Sequence, residues 1–372
     1  MIQQTSRTGH DRAGMIYNRM RVLGIETSCD ETAAAVVEDG RRLLSNVVAT
    51  SMDLHAAYGG VVPEIAARSH IESIMPVIEQ SLQQANCDWG DIDAIAVTYG
   101  AGLGGSLLVG VMTARTLAIT KNKPLYAINH VEGHIYANFL TETALEGYKL
   151  PSNAPLFPML GLIVSGGHSQ LVIWRNHHDY TLLGQTHDDA IGEAFDKVAK
   201  MTGLPYPGGP SIAKAAVNGD PYAYNFPKSK LANQYDFSFS GIKTAVLRAA
   251  QAAVGHDHTL LSSALPSLLN DKQKADIAAS FQRTAIETVV DKTLVAWAEF
   301  QPASVVIGGG VASSQELRRQ LAERLTIPIA YTDPRLCTDN GAMIATLGCY
   351  HAINDLPHAD AYKLAIDPNL SM

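Results

Sequence analysis

Arg21-Val22-Leu23-Gly24-Ile25-Glu26, Thr27-Ser28-Cys29-Asp30-Glu31-Thr32 and Ala33-Ala34-Ala35-Val36-Val37 read in turn as a strand, a tight polar turn and a strand. The plan recurs further on. Phe157-Pro158-Met159-Leu160-Gly161-Leu162-Ile163-Val164 is followed by Ser165-Gly166-Gly167-His168-Ser169 and then Gln170-Leu171-Val172-Ile173-Trp174. Two hairpins of one design, about 140 residues apart, point to duplicated α/β lobes. Gly166 and Gly167 let the backbone turn and expose N–H groups, which suits a phosphate or an oxyanion. An ordinary glycine-rich hairpin turn looks the same, and the recurrence is what favours the first reading.

Between the hairpins a helix is expected over 64–84 and a strand over 92–98. Tyr99-Gly100-Ala101-Gly102-Leu103-Gly104-Gly105-Ser106 then opens a helix running to Ala118. The G-x-G-x-G-G spacing is not the dinucleotide fingerprint. An anion site at the helix N-terminus and a close-packed structural loop both fit it. Next, Pro124-Leu125-Tyr126-Ala127-Ile128 reads as a buried strand, Asn129 as an N-cap and 130–140 as a helix. It begins His130-Val131-Glu132-Gly133-His134. Residues four apart share one helix face, so His130 and His134 can share one metal ion. Glu132 falls on the opposite, outward face, unlike the glutamate of the metalloprotease pattern H-E-x-x-H. Gly133 inside a helix costs about 1 kcal/mol relative to Ala and implies a close neighbour. Two core histidines are the alternative, and a third ligand decides between the two.

Beyond the second hairpin come a helix from Asp189, the rigid loop Pro205-Tyr206-Pro207-Gly208-Gly209-Pro210, a long helix over about 274–300 and a strand, glycine turn and helix from Ser304. Asp196 beside Lys197 looks like a surface pair. Cys337-Thr338-Asp339-Asn340-Gly341-Ala342-Met343 leads into a last helix. Asp339 is either its N-cap or the carboxylate that completes a two-His-one-carboxylate site. Fe(II) or Zn suits that donor set.

The chain's 372 residues suggest two domains, and 47% hydrophobic residues suffice for large cores. The boundaries expected are 20–140 for lobe I, with a helix at 340–355 packing back on it, and 155–338 for lobe II. Residues 1–19 are polar, without the apolar core of a secretory signal, and are expected to be a disordered extension. The formal net charge is −8, so any RNA binding calls for a local basic patch or a basic partner. Cys29, Cys87, Cys337 and Cys349 show no C-x-x-C pairing and fit a reduced, cytoplasmic protein. No apolar run approaches the roughly 20 residues of a membrane helix.

Seven motifs occur in one order: the first hairpin turn, His130-Val131-Glu132-Gly133-His134, the second hairpin turn, Gly192-Glu193-Ala194-Phe195-Asp196-Lys197, Tyr206-Pro207-Gly208-Gly209-Pro210, Phe237-Ser238-Phe239-Ser240-Gly241-Ile242-Lys243-Thr244 and Cys337-Thr338-Asp339-Asn340-Gly341-Ala342. Together they resemble the bacterial TsaD family, the tRNA adenosine threonylcarbamoyltransferases. The resemblance implies the duplicated α/β fold of actin, Hsp70 chaperones and sugar kinases (ASKHA), with the active site in a cleft between two lobes. It implies transfer of threonylcarbamoyl from threonylcarbamoyl-AMP to N6 of the adenosine 3′ of the anticodon, in tRNAs reading codons that begin with A. It implies His130, His134 and Asp339 as ligands of one divalent metal, Fe2+ first and Zn2+ second. Substrate contacts fall on Ile163, Val164, Ser165, Gly166, Gly167, Asp196, Gly209 and Ser314. At the last position the family usually carries Asn. Asp30 and Glu31 match an acidic pair tied to activity. The implied partners are tRNA, a TsaB-like paralogue and a TsaE-like ATPase, with no membrane. A glycoprotease, an ATPase or kinase of the same fold, and a metal-free partner subunit are the rival readings.

Overall fold

Apolar runs bounded by turn residues become strands. The computed structural model describes residues 8–10, 16–56, 58, 60–327, 329 and 331–372. In chain order the elements are β1 (Thr8–His10), β2 (Ile16–Asn18), β3 (Arg21–Glu26), β4 (Glu31–Glu38), β5 (Arg42–Thr50), α1 (Met52–Ala56), α2 (Pro63–Gln84), β6 (Ala94–Gly100), α3 (Gly104–Lys121), β7 (Leu125–Asn129), α4 (His130–Tyr136) and β8 (Glu142–Thr143). They continue with β9 (Met159–Val164), β10 (Ser169–Asn176), β11 (Asp179–Gln185), α5 (Ile191–Thr202), α6 (Gly208–Ala216), α7 (Ser240–Ala253), α8 (Leu265–Leu268), α9 (Asp271–Phe300), β12 (Ser304–Gly308), α10 (Gln315–Arg324) and α11 (Gly341–Ile353).

The chain divides into two compact units. The first comprises Met1–Ser51, Pro63–Ala154 and Asp339–Met372, and the second Met52–Val62 and Pro155–Thr338. The first holds a six-stranded sheet of order β7-β6-β3-β4-β5-β8, and the second a four-stranded sheet of order β11-β10-β9-β12. In each, three antiparallel strands follow one another through hairpins, and the first of the three takes a parallel neighbour, β6 or β12. That shared plan is the duplication announced by the two hairpin sequences.

In the first unit the strand alternation sorts residues by size. Leu23, Ile25, Ala34 and Val36 join Ile74 and Ile78 of α2 and Val111 of α3 in one buried cluster. On the other face small residues let α11 approach closely. A Cβ at Gly24 would strike the backbone of Ala345, and one at Gly341 would meet Ala35 N at 2.5 Å. In the second unit β9 is buried throughout, and its Leu160, Leu162 and Val164 pack with Phe195 and Phe281.

The elements differ from the expected bounds in a few places. α9 starts earlier than 274, because Asn270 and Gln273 form a capping box. α4 ends at Tyr136, and a 3₁₀ turn covers Ala137–Phe139. Within 1–19, where disorder is expected, β1 and β2 pair as a short antiparallel ladder. The stretches 1–7 and 11–15 lie outside the described residues.

Candidate metal centre

The first unit assembles the histidine helix from its cap upward. Asn129 Oδ1 accepts the N–H of Val131 at 2.9 Å, which fixes the start of α4 at His130. All seven residues of α4 are buried. Gly133 has the expected close neighbour: a Cβ there would meet Ile344 Cδ1 of α11 at 3.0 Å. Glu132 departs from its outward assignment. It lies off the histidine face but is only 8% exposed, and burial pushes its carboxyl up to about 7. The neighbourhood of α11 covers a helix that the residue pattern alone would leave half wet.

Asp339 precedes α11 without capping it. The N-cap is Asn340, whose Oδ1 accepts from Met343 N at 3.0 Å. Asp339 turns instead to the histidines, with its Oδ1 3.6 Å from His130 Nε2 and 3.4 Å from His134 Nε2. The three ligand atoms all lie within 4.8 Å of one another. Two atoms bonded to one metal at about 2.1 Å each stand roughly 3.0–3.4 Å apart; the 3.4 Å pair meets that spacing and the 3.6 Å pair lies just outside it. His134 gives the sharper test. It is 1% exposed, and neither ring nitrogen has a hydrogen-bond partner among the described residues. The approach to Asp339 is close but lacks hydrogen-bond geometry. A buried imidazole with both nitrogens unsatisfied is costly, and a metal ion at Nε2 relieves half of that cost.

A second layer holds His130. Its Nδ1 lies 3.1 Å from Glu26 Oε2 and 3.0 Å from Ser28 Oγ. Glu26 is fully buried and accepts from Ser28 N and from Thr98 Oγ1, both at 2.5 Å. Burial opposes its charge, but His130, by its charge and its hydrogen bond, and then Ser28 hold its carboxyl below the usual range. Burial likewise opposes charge on His130, and Glu26 and then Asp339 outweigh it to raise the ring's pKa. The motif reading missed this role of Glu26; its one signal was a carboxylate closing the apolar run from Val22 to Ile25. Asp30 ends the turn that follows, and Glu31 opens β4. Burial, then the charge of Asp339, pushes Glu31 up to about 10.

The second unit gathers the glycine turns. Ser165 N donates to His168 O at 2.8 Å, and Ser165 Oγ accepts from His168 N at 3.1 Å, which closes the β9–β10 turn. A Cβ at Gly166 or Gly167 would meet nothing within 4 Å, whereas one at Gly192 would meet Ser165 O at 2.6 Å. The start of α5 therefore packs directly against the turn. Gly309, at φ 91°, packs from another side, where a Cβ would strike Val164 O. Asp196 is more than a surface pair: its Oδ1 accepts from Gly208 N, the first residue of α6, at 2.6 Å. Next to it Gly209 has open space where a Cβ would stand. Ser314 caps α10, its Oγ accepting from Leu317 N at 3.4 Å. Ile163 and Val164 have fully buried side chains, so only their main chain is left for a ligand.

The profile of the family described as TsaD, tRNA N6-adenosine threonylcarbamoyltransferase, matches residues 42–346. A protein of that name from Thermomicrobium roseum is 50% identical over 342 residues, covering 90% of this chain and 92% of the relative. One from Dehalococcoides mccartyi is 44% identical over 353 residues, covering 95% and 99%. Among solved structures, HypF of T. kodakarensis aligns over 91% of this chain and 49% of its own with a TM-score of 0.59 at 12% identity, a likeness of fold alone. The duplicated sheets are of the actin, Hsp70 and sugar-kinase type. A profile covering most of the chain and relatives at about half identity agree, and the chain belongs to the TsaD family of tRNA N6-adenosine threonylcarbamoyltransferases.

Proposed function

We propose that the chain transfers the threonylcarbamoyl group of threonylcarbamoyl-AMP to N6 of the adenosine 3′ of the anticodon, in tRNAs that read codons beginning with A. The observation that carries this reading is the pair of buried imidazoles beside Asp339, with His134 unsatisfied among the described residues. His130, His134 and Asp339 would hold one divalent ion, Fe2+ before Zn2+. When bound, that ion supplies a Lewis acid to orient and polarise the carbamoyl group. The donor is a mixed anhydride and already activated, so no covalent nucleophile is required of the protein. The work left to the chain is positioning and charge stabilisation.

Backbone N–H groups of the 165–168 turn suit the donor phosphate. Asp196, Gly209 and Ser314, with the main chain at Ile163 and Val164, suit the nucleoside and threonyl groups. Asp30 is assigned the proton that the N6 amine sheds, and Glu31, kept protonated by burial, a hydrogen-bond donor's place beside it. The amine's lone pair is delocalised into the ring, so a base must leave the anticodon-loop stack and be held in place. The metalloprotease alternative lacks support, since Glu132 lies off the histidine face and the adjoining glutamate of H-E-x-x-H is missing.

A TsaB-like paralogue and a TsaE-like ATPase complete the proposed system, in the cytoplasm. No described helix is long and apolar enough to cross a membrane. The paralogue would cover the apolar face of α2 and α3, where Ile71, Met75, Leu108 and Met112 are exposed by 65%, 42%, 50% and 47%. Mass spectrometry of tRNA anticodon fragments after incubation with donor, with and without added Fe2+ or Zn2+, tests the reading. The threonylcarbamoyl mass on the adenosine 3′ of the anticodon, dependent on metal, is expected. Equal transfer by chelator-treated protein and by His134→Ala would remove the metal from the account.

A further inference from the structure

The turn that carries Asp30 and Glu31 is gripped from several elements of the first unit. Leu103 N donates to Ser28 O at 2.8 Å, and Ser51 donates twice to Asp30 O, through N at 3.0 Å and through Oγ at 2.8 Å. The Cys29 carbonyl accepts from Ser106 Oγ at 3.2 Å and lies 3.0 Å from His70 Nε2. The other nitrogen of that ring, His70 Nδ1, lies 2.8 Å from Thr32 Oγ1. Cys29 and Thr32 are the two residues that bracket Asp30 and Glu31. One side chain of α2 thus spans the acidic pair from end to end.

The chemistry of the two partners sets the ring's protonation. A carbonyl can only accept, so Nε2 carries a proton toward Cys29, while Nδ1 and the Thr32 hydroxyl share the second hydrogen bond. His70 is 1% exposed, and a buried polar ring is tolerated only when its nitrogens are bonded. A leucine would fill comparable space without that requirement, so packing alone gives no reason for histidine here.

We propose that His70 is a positioning residue for the transfer reaction: by bridging Cys29 and Thr32 it holds the Asp30 and Glu31 carboxyls in the one arrangement that the reaction uses. The inference rests on the assignment of those two carboxyls to the reaction. Neither ring nitrogen needs to touch substrate. The effect belongs on kcat, because a turn that wanders leaves ground-state donor binding in place and loses transition-state placement.

Four single variants, assayed in the complete transferring system with its partners, test it. Glutamine carries a donor and an acceptor on neighbouring atoms and can serve both Cys29 and Thr32, whereas leucine serves neither. His70→Leu is expected to lower kcat by up to about a hundredfold, with KM for the donor within about twofold and full metal content. His70→Gln is expected to recover kcat to within about fivefold of the parent. Amide hydrogen exchange over 27–32 should quicken in His70→Leu and not in His70→Gln. Equal losses in the two, or parental kcat in His70→Leu, would overturn the proposal. Asp30→Asn and Glu31→Gln serve as the control on the premise. Parental kcat in both overturns the role of the acidic pair and the proposal with it, and the exchange rates then still report whether His70 holds the turn.

Discussion

An imidazole that binds a metal through Nε2 must keep its proton on Nδ1, and Glu26 gives His130 the reason to do so. Carboxylates in this place raise the basicity of the ligand and lock the ring's orientation, and their loss lowers metal affinity by about 10–100-fold. Glu26→Gln keeps the volume and the acceptor for Thr98 but loses the charge, so it is expected to weaken metal binding within that range while the protein stays folded. Chelator competition followed by elemental analysis measures it, and an affinity equal to the parent's would refute the role. His130 and His134 were legible because helical spacing is a local code. Asp339 was legible as a carboxylate near a helix start, with capping as a rival that Asn340 turns out to fill. Glu26 was not legible: its partner is 104 residues away, and only the order β7-β6-β3 brings the two together.

At the scale of elements, the glycine turns sort themselves by what a Cβ would meet. Gly192 and Gly309 are wedged against the β9–β10 turn, and a side chain there would disturb the fold. Gly167 and Gly209 have empty space in that direction. Gly167→Ala and Gly209→Ala should therefore melt as the parent does while losing affinity for AMP by about fivefold, one hydrogen bond or lost close approach being worth on the order of 1 kcal/mol. Unchanged calorimetric titrations would move the nucleotide elsewhere. Ser314→Asn is a complementary case. Asn caps helices as well as Ser does, so α10 should keep its stability. The added amide should hold AMP affinity or raise it by up to about tenfold, and a large loss would show that the turn binds differently. Strand, turn and helix were readable here because each is a short-range pattern. The wedging of α5 and of Gly309 against one hairpin was not, because close backbone approach leaves only a glycine in the sequence, and glycine has many other uses.

Taken as a whole, a molecule of net charge −8 has little unaided attraction for tRNA. The isolated chain is expected to transfer weakly, with robust turnover only when its partners are present; multiple turnovers by the chain alone would contradict this. Leu108→Asp, at an exposed site on α3, should leave melting unchanged and abolish co-elution with the paralogue, and an intact complex would place the contact on another face. The duplication was legible from two hairpins. The close approach of α11 depends on small residues such as Gly24 and Gly348, which look unremarkable in a strand or a helix. The interruption of the first unit has a consequence for synthesis. The ribosome completes every residue of the second unit before it adds Asp339–Met372, the final segment of the first. Until then the nascent first unit lacks the helix that covers β3, β4 and β6, and its two histidines lack their carboxylate. On the proposed metal site, a chain stopped short of Asp339 should emerge metal-free and prone to aggregate.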